Sequence, residues 1–154
     1  MTKITQFWRR WLPGAKHGIA RGVAVYGSPG FTKDPQRLAD HLAECRKLRA
    51  WAEEHGVHLD GSPESLSALD EALDRFADQQ TTNGIANEAG RYLGTVLVRR
   101  DDRARWQVWR NGHPVVRMPS GRDLDVVAIV NGASRSGKLG LAKHYADAIA
   151  AGPS

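Results

Sequence analysis

NEAGRYLGTVLVRR (residues 87–100) and, after a short polar break, RWQVWRNGHPVVRMPSGRDLDVVAIV (residues 105–130) decide the fold of this chain. In the first stretch Tyr92, Leu93, Val96 and Leu97 recur on one side of a helix, with Gly90 and Gly94 one turn apart. Glycines at that spacing remove Cβ atoms from one stripe and let another element approach closely, at a cost of about 1 kcal/mol each in helix propensity. In the second stretch residues 106–109 read as a strand, and Asn111 with Gly112 as a hairpin turn that tolerates positive φ. Residues 115–118 return. Pro119, Ser120 and Gly121 turn the chain again, and residues 124–130 read as the longest strand. Leu124, Val126, Ala128 and Val130 then share one face, with Val127 and Ile129 on the other.

Working outward, Asp34 and Pro35 open a helix as N-cap and first helical residue. Leu38, Leu42, Cys45, Leu48 and Ala52 form one apolar stripe, and Gly56 fits a left-handed C-cap. Ser62 and Pro63 open the next helix, with Leu66, Leu69, Leu73 and Phe76 as its stripe and Asp70, Glu71, Asp74 and Asp78 on a solvated acidic face. Residues 78–84 read as a polar break. A final helix covers residues 139–150, with Leu141, Tyr145 and Ile149 as its stripe. Near the start, residues 22–26 (GVAVY) read as a short strand closed by GSPG. Before it lies a basic amphipathic arm, residues 1–20, with Ile4, Phe7, Trp8, Trp11 and Leu12 near one side and Arg9 and Arg10 on the other. The expected fold class is α+β: helices packed on one face of a small antiparallel β-meander, with a C-terminal helix, as a single domain over residues 21–151.

The net charge of +5 hides a pattern. Residues 1–33 hold six basic residues and no acid, residues 34–78 hold five basic and eleven acidic, and residues 79–154 hold eleven basic and six acidic. Such parts attract one another within a fold, or present a basic face to phosphates or anionic lipid. No apolar run is long enough to cross a membrane as a helix. The basic N-terminus lacks the apolar core of a signal peptide. Cys45 is the only cysteine, which excludes an internal disulfide and a thiolate cluster and fits a reducing, cytoplasmic setting.

One motif carries possible chemistry. GASRSGK (residues 132–138) matches G-x-x-x-x-G-K between a predicted strand and a predicted helix, the context of a phosphate-binding loop. Leu139 stands where Ser or Thr would hold magnesium, and the sixteen residues after Lys138 leave no room for a crossover and a further parallel strand. What remains is a weak anion site of Ser134, Arg135 and Lys138 at a helix N-terminus, against a plain connection. No H-E-x-x-H pair or G-x-S-x-G elbow occurs, and His55 and His58 straddle Gly56. No metal, cofactor or catalytic residue is therefore expected. Arg99, Arg100, Arg103, Arg105, Arg110, Arg117 and Arg122 accompany Trp106 and Trp109, a sheet that could stack nucleic-acid bases or bury its tryptophans as core. Phe7, Trp8, Arg9, Arg10 and Trp11 are the candidates for contact with a protein partner, a second copy or an anionic membrane surface.

RGVAVY, LAECRKLRAWAEEHGVHLDGSPESLSALDEAL, NEAGRYLGTVLVRR and WQVWRNGHPVVRMPSGRDLDVV together resemble an uncharacterised family of small actinobacterial proteins, a domain of unknown function. No activity or site residue attaches to that family, so the resemblance implies none here. The expectation for function is a non-enzymatic cytoplasmic binding or regulatory module acting through protein contacts. The alternative is an anion- or nucleic-acid-binding domain using the glycine-rich loop or the Arg/Trp-rich sheet.

Overall fold

The computed structural model describes residues 26–151 of the chain. The predicted strand over residues 22–26 and the arm over residues 1–20 lie outside them, apart from Tyr26. After a single turn, α1 (Pro29–Thr32), helix α2 (Pro35–Leu42) starts where Asp34 accepts a hydrogen bond from Arg37 N at 3.1 Å. The expected continuous helix to Gly56 is in fact two. Cys45 takes a left-handed conformation (φ 41°) and α3 (Arg46–Glu54) sets off from it. A non-glycine residue there costs about 1–2 kcal/mol. Distant side chains offset that cost. Glu88 accepts from Leu48 N at 2.8 Å, acting as the cap that α3 lacks locally, while Arg49 donates to the carbonyls of Ala43 and Glu44 that end α2. The stripe survives the break: Leu38, Leu42, Cys45, Leu48 and Ala52 are all buried.

Gly56 is left-handed (φ 73°) as expected, and Ser62 caps α4 (Pro63–Phe76) by accepting from Ser65 N at 3.2 Å. The polar break expected over residues 78–84 is instead the start of the central helix, α5 (Gln79–Arg100). Asp78 caps it through Thr81 N at 2.8 Å, Gln79 bonds Asn83 one turn on, and Thr82, Ile85 and Ala86 are buried. Three strands follow, β1 (Arg105–Val108), β2 (Pro114–Arg117) and β3 (Asp123–Leu124), antiparallel in the order β1-β2-β3. Gly112 and Gly121 supply the positive φ of the two turns.

The last strand stops after two residues. Asp125 accepts from Ala128 N at 3.0 Å and opens a helix, α6 (Val126–Ser134), in place of the predicted strand over residues 124–130. The backbone of α6 lies against α5 at Gly90: a Cβ there would fall 2.8 Å from Val127 Cα and 2.9 Å from the Val126 carbonyl oxygen. A Cβ on Gly94 would fall on the Trp106 indole. Both are packing glycines, as their spacing implies. Helix α7 (Leu141–Ala151) closes the chain against α4 and α5. The fold is α+β, with helices against a small antiparallel meander and a C-terminal helix. No helix among the described residues is long and apolar enough to cross a membrane.

Candidate functional site

Among the described residues no strand pairs with the outer edge of β1, and a groove lies beside that edge. Trp109 N donates to His113 O at 2.9 Å, which fixes the ladder between β1 and β2. In an antiparallel pair hydrogen-bonded positions alternate, so the pairs Gln107–Val115 and Arg105–Arg117 also face inward. The backbone groups of Trp106 and Val108 therefore point away from β2, toward the outer edge of the sheet. Pro114, opposite Val108, occupies a position where its missing N–H costs the ladder nothing. Next to this edge runs a groove of about 350 Å³ between β1 and the α1–α2 segment. Phe31, Leu38 and Val98 give it an apolar floor, and Pro35, Gln36 and Ala39 form its helical wall. The Cβ missing from Gly94 lets the Trp106 indole sink against α5, so Trp106 is 8% exposed although its strand is at the edge.

The first described residue, Tyr26, is fixed close by. Its ring packs edge-on to Phe31 at 6.2 Å and His41 at 5.6 Å, and its hydroxyl accepts from Arg91 Nη1 at 2.9 Å. Cys45 is buried, its Sγ directed at the carbonyls of Glu88 and Leu42. Burial pushes that thiol up to about 11, so it is a poor nucleophile.

The residues singled out as an anion site fall around the end of α6. Ser134 is buried, its hydroxyl donating to Asn131 O at 2.7 Å and its carbonyl accepting from Gln79 at 2.6 Å. Arg135 is the exposed C-cap of α6, and Lys138 reaches Asp74 at 3.4 Å. The motif thus follows a helix C-terminus, where the dipole is negative, rather than a strand. The helix N-terminus beyond it is already filled: the carboxylate of Asp70 accepts from Leu141 N at 3.0 Å and Ala142 N at 2.9 Å. Burial raises the pKa of Asp70, and these two bonds act against the rise. Asp70 and Asp78 therefore serve as caps, not only as a solvated face.

Most of the Arg/Trp cluster is engaged within the fold. Trp106 belongs to the core. Trp109 is 40% exposed but donates its indole N–H to Asp123 at 2.8 Å, and Arg117 donates twice to the same carboxylate at 2.7 and 3.0 Å. The Arg117 bonds first, and Trp109 second, hold Asp123 below the usual carboxylate range. Arg103 pairs with Asp101, and Arg99 reaches the Asp60 carbonyl. A smaller cleft of about 190 Å³ lies between Arg100, Arg103 and Arg122. The sequence reading missed the His113–Asp125 pair at 2.8 Å and the β1 groove. A meander has two edges by construction, but whether a helix covers one is a tertiary fact. Among the described residues no group of three or more His, Cys, Asp or Glu side chains is placed to hold a metal ion. Phe7, Trp8, Arg9, Arg10 and Trp11 lie outside the described residues.

No curated protein and no solved structure matches the chain. A family model does, over residues 5–151, so it takes in Phe7, Trp8 and Trp11 together with the β1 groove. That model describes a family of unknown function (DUF6278), and the chain belongs to it.

Proposed function

We propose that the protein is a non-enzymatic cytoplasmic module that works through protein contacts, and that its binding face is the groove along β1. The observation that carries this reading is the pairing of an apolar floor with a strand edge that, among the described residues, has no further strand beside it. Backbone donors and acceptors of Trp106 and Val108 suit an added extended segment, and Phe31, Leu38 and Val98 suit its alternate side chains. The anion and nucleic-acid readings have less support, because Asp70 fills the helix N-terminus and Asp123 engages both Arg117 and Trp109. The single cysteine, free and buried, suits a reducing compartment.

The test is selection of displayed random peptides against the full chain. Enriched peptides with alternating apolar residues are expected. Ala39→Arg, which puts a charge on the wall of the groove, should weaken their binding by about tenfold or more while the protein stays folded. No enrichment, or peptide binding indifferent to Ala39→Arg, would overturn the reading.

A further inference from the structure

We propose that the cleft between the last turns of α5 and α7 and the turn joining β2 to β3 binds a small organic carboxylate, its apolar body on the floor and its head among Arg100, Arg103 and Arg122. The site is separate from the β1 groove and from the glycine-rich loop, and it goes beyond the reading of the protein as a partner-binding module. Its floor is apolar: Leu97, Ala104, Met118 and Ala148 are buried, and Ile149 beside them is half-buried. The cleft holds about 190 Å³. An apolar cavity of about 150 Å³ takes up one benzene molecule, so a single ring or a short branched chain is the body that fits.

The rim selects the head group. Arg100, Arg103 and Arg122 line the cleft with one carboxylate, that of Asp101. Arg103 occupies that carboxylate: its side chain donates to the two oxygens at 3.2 and 3.0 Å, and its backbone N–H donates to one of them at 2.9 Å. Arg100 and Arg122 have no carboxylate partner among the described residues. The Arg100 guanidinium lies over the Tyr145 ring, 6.0 Å from its centroid, which holds it beside α7. The backbone of Arg122 is fixed in its turn, its carbonyl accepting from Met118 N at 2.8 Å and its N–H donating to Ser120 Oγ at 3.3 Å. Its guanidinium makes no hydrogen bond or ion pair among the described residues. Helices α5 and α7 both reach their C-terminal turns here, and each such end brings about half a negative charge. Those partial charges offset about one of the two unpaired guanidiniums, so the rim keeps a positive excess that suits a monoanion better than a dianion. A planar guanidinium fork matches the two oxygens of a carboxylate.

The test is binding of phenylacetate to the full chain, followed by NMR at the backbone amides of Ala104 and Ala148 and at the arginine Nε–H groups. Saturable shifts at the cleft are expected, with a Kd on the order of millimolar. Phenylacetamide, which lacks the charge, and acetate, which lacks the body, should each bind at least about tenfold more weakly. Arg122→Gln should weaken phenylacetate about tenfold, while Arg110→Gln, on the exposed hairpin outside the cleft, removes the same charge and should change nothing. A tripeptide ending in phenylalanine, compared with phenylacetate, separates the two sources of this chemistry. Tighter binding of the tripeptide assigns the site to the C-terminal carboxylate of a polypeptide, and weaker binding assigns it to a free acid; both keep the site. Four results would each overturn the proposal: no saturable shift at the cleft, phenylacetamide or acetate binding as tightly as phenylacetate, equal losses in Arg122→Gln and Arg110→Gln, or phenyl phosphate binding about tenfold more tightly than phenylacetate.

Discussion

Gly90→Ala and Gly84→Ala make the same chemical change on the same helix, and the structure gives them opposite signs. In a helix interior alanine is worth about 1 kcal/mol over glycine, chiefly through backbone entropy. At Gly84 a Cβ would meet nothing within 4 Å, so the substitution keeps that gain and should stabilise the protein by about 0.5–1 kcal/mol. At Gly90 the Cβ would lie 2.8 Å from Val127 Cα and 2.9 Å from Val126 O. Both are backbone atoms, and no rotamer change moves them, so α6 as a whole must shift by roughly half an ångström or more, an overpacking that costs about 1–3 kcal/mol. After the helix gain, a net loss of about 1 kcal/mol, the middle of a range of about 0–2, is expected. Urea unfolding of the two variants, with equal slopes, should separate their midpoints by about 1 M. A Gly90→Ala protein stabilised as much as the Gly84→Ala one, with an unchanged slope, would refute the close contact of α5 and α6. Gly94→Ala is the softer case, because its Cβ meets the Trp106 ring and a side chain can tilt away.

Three further predictions follow from single groups. Cys45, buried and pushed up to about 11, should resist a disulfide reagent in the native protein and react at a rate that tracks global unfolding; rapid stoichiometric labelling would contradict its placement. Asp123, held below the usual range by Arg117 and Trp109, lends stability that is present above its unfolded pKa and lost as pH falls through its folded one. The melting temperature should therefore drop below about pH 4, the Trp109 indole N–H resonance should titrate with it, and Asp123→Asn should flatten both; an indole resonance blind to pH would sink the assignment. Asp70→Ala removes the acceptor of the Leu141 and Ala142 amides and should cost about 1–2 kcal/mol, less the charge-burial cost it relieves, with faster hydrogen exchange at those two amides as the local readout.

Local signals were read correctly where the chemistry is local. Asp34 and Pro35, Ser62 and Pro63, and Gly56 mark helix ends by their own side chains or φ preference, and each does so in the structure. Asn111 with Gly112 and the pair Gly90 and Gly94 belong to the same class, since turn geometry and a bare stripe are written in neighbouring residues. The break at Cys45 is different. It is held open by Glu88, 40 residues away from the Leu48 amide it accepts from, and no window around Cys45 contains that information. The groove along β1 is illegible for the same reason, because it depends on where α2 stops short of a strand some 70 positions on, a matter of packing and not of pattern.

The run DVVAIV shows how one correct inference constrains another. Four β-branched residues in the five from Val126 to Val130 favour a strand, and a short continuous apolar run cannot be told from a buried helix by periodicity. The glycine stripe of α5 nonetheless called for a close neighbour, and at Gly90 the backbone of Val126 and Val127 is that neighbour. Burial along the run then follows a helix: Val126, Val127 and Val130 are enclosed while Ala128 is exposed, where a strand would have put Ala128 on the face of Val126 and Val130. Asp125 starts that helix by accepting from Ala128 N, and His113 in turn bonds the same carboxylate. The consequence reaches the glycine-rich motif. With α6 in place of a strand, residues 132–138 sit at a helix C-terminus, and an anion approaching them meets outward carbonyls instead of free N–H groups. The sequence match to a phosphate loop is thus undone by the packing of α6 on Gly90, some forty residues earlier in the chain.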